Sequence, residues 1–300
     1  RAELQRASAR FGVPRPVVVA IWGLESNFGR FQGVRPTIST LATLAYDGRR
    51  TLFRDELFAA LRIIDSGEVA PDALKGSWAG AMGQSQFMPS SYLKWAVDGD
   101  GDGRRDIWTS LPDVFASIAS YLKEHGWVKG QRWGREVRLT DQAAARAAAV
   151  PLRLTGGCQA QRDMTEARPL AEWRSLGVTL RSGARLPASD LPASLVRVDT
   201  RSFLVYGNYE SLLAYNCAHR YALSIPRRVV ETDLDRHRRV GDVDDAQAAI
   251  LICDVGITPR HRHILGILWG VAETSLGRRC RVSDIDDAQA AVPIGDVGVA

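Results

Sequence analysis

Apolar residues recurring at helical spacing from Arg1 to about Tyr121 constrain this chain more than any other feature. Leu4 and Phe11, the run Val17 to Leu24, Leu41 and Leu44, then Leu52, Phe53, Leu57, Leu61 and Ile64 return every three or four positions, the period that gathers side chains on one face of a helix. A mainly α-helical core is expected. Pro14 and Pro16 suit the opening of a helix through Val17 to Leu24, and Gly29 suits its end. Glu25 then falls in the last turns of a strongly apolar helix. A second pattern, Asp113 to His125, carries Phe115, Ile118, Tyr121 and Leu122 on one side and stops at Gly126.

The character changes at about Gly130. Short apolar runs such as Glu136-Val137-Arg138-Leu139 and Gly177-Val178-Thr179-Leu180 alternate with Gly, Pro and Ser up to about Arg201, which predicts short strands in a small inserted lobe, residues 130–201. The helical pattern returns over Phe203 to Leu223. Beyond Pro226 the chain duplicates itself, Val229 to Ile257 reappearing with most positions identical or similar as Val271 to Val299. Two copies are too few to bury a shared face, so residues 227–300 are expected to be a poorly structured or artefactual tail, and no chemistry is assigned to them. The expected organisation is a core over residues 1–226 followed by this tail.

With 300 residues and 45% apolar content the chain can bury a sizeable core, which excludes disorder throughout. A net charge of +5 admits acidic partners, among them peptidoglycan, nucleic acid and anionic membranes, and does not choose between them. Cys158, Cys217, Cys253 and Cys280 show neither CxxC pairing nor metal-ligand spacing, so no zinc site and no dense disulfide framework is indicated. The chain opens at Arg1 directly in a helical pattern, without a signal peptide or an apolar run long enough to span a bilayer. It reads as a fragment whose export signal or lipid anchor would lie upstream.

The stretch Ser77-Trp-Ala-Gly-Ala-Met-Gly-Gln-Ser-Gln-Phe-Met-Pro-Ser-Ser-Tyr92 combines small residues that let backbone approach a ligand, amides and hydroxyls that bond sugars, and aromatic stacking faces. Glu25, after Ile21, Trp22 and Leu24, is placed for desolvation to raise its pKa, as a general acid at neutral pH requires. Spacing alone leaves open a helix-end glutamate facing water, a core role for Tyr121 and a helix-capping role for Ser77. Asp98-Gly99-Asp100-Gly101-Asp102-Gly103 has carboxylates at positions 1, 3 and 5 and glycine at 6, the opening of an EF-hand loop, but Thr109 stands where the bidentate glutamate belongs. A calcium loop and a solvated acidic turn are both compatible with that pattern.

Ile21-Trp22-Gly23-Leu24-Glu25-Ser26-Asn27-Phe28-Gly29, the Gly76-to-Tyr92 stretch, Ala119-to-Trp127 and Tyr215-Asn216 together resemble the B-type lytic murein transglycosylases, over roughly Arg1 to Ile225. The resemblance implies a mainly α, α+β lysozyme-like fold and Glu25 as the single catalytic acid/base. The bond cleaved would join N-acetylmuramic acid to N-acetylglucosamine, leaving 1,6-anhydro ends. It implies substrate contacts from Ser77, Gln86, Tyr121, Tyr215 and Asn216, with Gln84-Ser85 at a variable position of the motif. For the acidic loop it implies structural Ca2+ held by Asp98, Asp100, Asp102, the Arg104 carbonyl and Asp113, and no cofactor for catalysis. The implied partner is the peptidoglycan glycan strand rather than nucleic acid, met by a monomer in the periplasm or at the inner face of the outer membrane. Asp47, Asp55 and Glu56 stay open as a second carboxylate, which keeps a hydrolytic muramidase as an alternative. A non-catalytic glycan-binding protein is the alternative of another class.

Overall fold

The computed structural model describes residues 1–46, 51–154 and 157–225. The duplicated tail, Cys253, Cys280 and Asp47 lie outside the described residues. The fold is mainly helical with one small sheet lobe. Helices α1 (Ala2–Phe11), α2 (Arg15–Ser26), α3 (Thr37–Tyr46), α4 (Thr51–Asp65), α5 (Pro89–Trp95) and α6 (Leu111–Glu124) form the first part, with a two-residue antiparallel pairing of β1 (Arg35–Pro36) and β2 (Lys75–Gly76).

Helix α6 is buried all round from Asp113 to Leu122, the signature of a central helix. Ser110 caps its N-terminus by accepting from Asp113 N, and Pro112 occupies its first turn, where a missing N–H costs nothing. One core cluster packs α1, α2 and α10 (Gly207–Tyr215) against α6 through Val18, Ile21, Ile118, Leu122, Tyr209 and Leu212. A second gathers Leu41, Ile63, Met82, Phe87 and Tyr92 against Tyr121 on another face of α6.

Between α6 and α10 lies a five-stranded antiparallel sheet in the order β4-β6-β7-β3-β5. Its strands are β3 (Gly134–Arg138), β4 (Arg168–Pro169), β5 (Thr179–Leu180), β6 (Pro192–Val198) and β7 (Arg201–Val205). Short helices α7 (Asp141–Ala147), α8 (Gln159–Arg162) and α9 (Leu170–Ser175) connect them, and Trp173 fills the lobe's own core. Cys158 and Cys217 form a disulfide that ties the start of α8 to the chain just after α10. Cysteine spacing in the sequence did not indicate this pair.

Two backbone features shape the site. Helix α2 ends at Ser26, earlier than Gly29, because Asn27, Phe28 and Gly29 all take left-handed conformations (φ 49, 58 and 80). Ser26 Oγ accepts from Gly29 N at 3.0 Å, and the turn folds the Phe28 ring back edge-on against Trp22. Elsewhere Gly33 (φ +84) lies on Gly76 so closely that a Cβ at 33 would stand 2.1 Å from the Gly76 carbonyl carbon.

Candidate active site and acidic loop

Glu25 lies one turn beyond Trp22 on α2 and is partly exposed. Its Oε1 accepts a hydrogen bond of 2.6 Å from Tyr221 Oη. Tyr221 belongs to residues 219–225, which are helical. Burial raises the Glu25 pKa to about 7, against the opposing pull of the Tyr221 hydroxyl. Burial and then the charge of Glu25 push Tyr215 and Tyr221 well above the usual phenol range, so both rings share the carboxyl group's enclosure. Sequence reasoning missed Tyr221, which stands in a run of helical pattern with nothing to distinguish it.

Of the residues expected around Glu25, Tyr215 feels its charge, and Tyr121, Gln86 and Ser77 are each held by hydrogen bonds of their own. Tyr215 Oη donates to Ser85 O at 2.8 Å, and its ring meets Tyr121 edge-on at 4.8 Å. Tyr121 is buried, stacks on His125 at 3.9 Å and donates to Ala214 O at 2.7 Å, holding the last turn of α10. Asn216 follows at the exposed end of that helix. Ser77 Oγ accepts from Ala79 N and Ala81 N at 3.3 and 3.1 Å, so it organises the loop that begins the motif.

Met82 and Phe87 exchange backbone hydrogen bonds of 2.8 and 3.1 Å and close a tight loop over residues 83–86. Gln86 sits there with φ 51, and its amide donates to Gly83 O at 2.9 Å and Gln32 O at 3.2 Å. Both bonds use the amide nitrogen. The neighbouring Gln84 is buried and bridges Trp22 to Trp108.

Of the other carboxylates weighed from sequence, Asp55 is exposed and Glu56 is buried. Glu56 accepts from Ser90 N at 2.8 Å and Ser90 Oγ at 2.6 Å, which commits it to the N-terminal turn of α5. Among the described residues, the causes that shift Glu25 are burial and Tyr221, and no second carboxylate is one of them.

In the acidic loop, carboxylate oxygens of Asp98, Asp100 and Asp113 lie within 4.8 Å of one another. Asp102 is outside this trio, and its Oδ1 accepts from Arg104 N at 2.8 Å. Both Asp113 oxygens also receive backbone amides, Gly99 N at 2.8 Å and Asp106 N at 2.7 Å. Burial, with a smaller push from the charge of Asp100, raises the Asp113 pKa. Clustered hard oxygen donors of this kind suit a calcium-sized cation.

A family model described as the transglycosylase SLT domain matches residues 1–227. Membrane-bound lytic murein transglycosylase B of Escherichia coli is 34% identical over 230 residues, 74% of this chain and 58% of that protein. SltB3 of Pseudomonas aeruginosa, solved in complex with NAG-anhNAM-pentapeptide, superposes with a TM-score of 0.68 at 41% identity, over 77% of this chain and 60% of that one. The E. coli lytic transglycosylase Slt35, in complex with calcium, gives a TM-score of 0.65 at 31% identity, over 79% of this chain and 72% of that one. The chain thus spans less than two thirds of the length of the first two relatives. On the family match and on these likenesses of sequence and fold, the chain belongs to the transglycosylase SLT-domain family.

Proposed function

We propose that this chain is the catalytic core, residues 1–226, of a peptidoglycan lytic transglycosylase, with an inserted lobe that runs past the expected end at 201 to Val205, because Phe203 to Val205 belong to β7 and not to a helix, and that Glu25 is its single acid and base. The observation that carries the reading is a carboxyl group at the end of an apolar helix, held by Tyr221 at 2.6 Å and brought by burial to a pKa of about 7. Such a group is present in both protonation states near neutral pH, as a residue that first gives and then takes a proton must be.

Protonated Glu25 gives its proton to the glycosidic oxygen between N-acetylmuramic acid and N-acetylglucosamine, and the C1–O bond breaks. The 2-acetamido carbonyl of the sugar shares the positive charge at C1, in place of the second carboxylate that most glycosidases use. Glu25, now ionised, removes the proton from the C6 hydroxyl as that oxygen bonds to C1, which closes a 1,6-anhydro ring. The proton is back on Glu25 and no water is consumed. The relative SltB3 has been solved with both NAG-anhNAM-pentapeptide and NAG-NAM-pentapeptide, which supports a cleft that holds these amino sugars.

Around the acid, Ser77 sets the loop backbone, the Gln86 amide oxygen and Asn216 face the sugars, and Tyr121 and Tyr215 wall the cleft. Asp98, Asp100 and Asp113 would hold a structural calcium ion, with Asp102 and the Arg104 carbonyl joining on binding, and the calcium-bound relative Slt35 supports this. The Cys158–Cys217 disulfide suits an oxidising compartment such as the periplasm. The chain would act there as a monomer on glycan strands.

Mass analysis of digested sacculi tests the reading. Products ending in 1,6-anhydromuramic acid support it, reducing ends would establish a hydrolytic muramidase, and binding without cleavage would establish a glycan-binding protein.

A further inference from the structure

Gln84 is one of the amides the sequence offers to sugars, yet its side chain is buried and engaged by the protein at both ends. Oε1 accepts from Trp22 Nε1 at 2.7 Å, and Nε2 donates to Trp108 O at 2.7 Å. Its backbone N also donates to Ile107 O at 2.8 Å. Gly29 covers the amide so tightly that a Cβ there would lie 2.4 Å from Oε1. One donor partner and one acceptor partner admit a single orientation of the amide.

The bridge joins two places that matter. On one side, Trp22 is one turn before Glu25, and its ring is fixed edge-on between Phe28 and Phe115. On the other, Trp108 N donates to Asp106 Oδ1 at 2.9 Å, and Asp106 N donates to Asp113 Oδ2 at 2.7 Å. A continuous line of polar contacts and backbone therefore runs from the acidic trio to the helix that bears the acid.

We infer that Gln84 is a positioning residue: it fixes α2 through Trp22 and carries the ordering of residues 98–113 by a divalent cation to the turn that holds Glu25. This rests on the reading of Glu25 as the acid and of the trio as a cation site. Replacing Gln84 by leucine removes the bridge and leaves Trp22 Nε1 and Trp108 O facing an apolar side chain, so the connection is lost at both ends.

Amide hydrogen exchange with and without Ca2+ tests the inference on the whole chain, in parent, Gln84→Leu and Trp22→Phe proteins. In the parent, Ca2+ slows exchange across residues 98–113 and across residues 22–29. In each variant, the response at 98–113 persists and the response at 22–29 disappears, while kcat falls about tenfold, the worth of one buried hydrogen bond, with KM little changed. A response at 22–29 that survives both substitutions overturns the inference. Should Ca2+ leave residues 98–113 of the parent unchanged, the cation reading fails. Gln84 is then judged without metal, where exchange at 22–29 must speed up about tenfold in Gln84→Leu for its positioning role to stand. Activity retained by Glu25→Gln would overturn the acid assignment instead and leave the exchange data to decide Gln84.

Discussion

Tyr221 donates its hydroxyl hydrogen to Glu25 Oε1 across 2.6 Å of space and 196 residues of sequence. The contact opposes the desolvation of Glu25, because a hydrogen bond to the ionised form favours it. Burial alone would hold the proton so firmly that the return step, in which the carboxylate acts as a base, would be starved of its reactive form. The balance of the two sets the group near neutrality.

Replacing Tyr221 by phenylalanine removes the stabilising partner of the carboxylate. The Glu25 pKa is expected to rise by about one unit, as one hydrogen bond to a charged group implies. The alkaline limb of the rate profile on purified sacculi should move to higher pH by that amount. An unmoved limb would show that Tyr221 does not act on the acid.

Glu25→Gln should lower cleavage by about a thousandfold, the middle of the range for removal of a general acid, while sacculus binding persists. Its stability should change in the opposite sense. Because the folded-state pKa of about 7 lies above the ordinary 4.5, the folded protein binds the proton more tightly than the unfolded chain. Stability is then lost as pH rises through that window, by roughly 3 kcal/mol at pH 8. Glu25→Gln should match the parent near pH 4 and exceed it at pH 8 in denaturant unfolding.

Calcium should raise the thermal midpoint and a chelator should lower it. A hundredfold excess over the dissociation constant corresponds to about 3 kcal/mol. Asp100→Ala should cancel the response, since Asp100 is one of the three clustered carboxylates and the one bonded by Ser110 Oγ. A chelator effect that survives Asp100→Ala would locate the ion elsewhere.

The Cys158–Cys217 bond closes a span of 59 residues, for which the chain-entropy argument gives about 4 kcal/mol of stabilisation. Replacing both cysteines by serine should lower the denaturant midpoint accordingly. Reductant should weaken the parent and leave the double variant unaffected, which separates the bond from the side chains.

The helical core and the small sheet lobe were legible because they are written locally. Apolar residues three and four apart mark α2 and α6, and the Gly- and Pro-broken runs mark β3 and β5. Glu25 was legible as a candidate for the same reason, its apolar neighbours being adjacent in the chain. The end of α2 was misplaced because the side chain of Ser26 catches Gly29 N after Asn27 has already turned left-handed. Tyr221, the disulfide and the Gln84 bridge were not legible, since each is a relation between distant residues whose types carry no marker of the partner. The acidic loop was read from its spacing, yet Asp102 turns toward Arg104 N instead of joining its neighbours.

A Cβ at Gly33 would run into the Gly76 carbonyl, and one at Gly76 would lie 2.4 Å from the Ala81 carbonyl oxygen, so neither position tolerates exchange without displacing main chain. Directly beside them, Val34 and Trp78 stand largely in solvent. A change at Gly76 would therefore pass straight into the backbone that carries the exposed indole of Trp78.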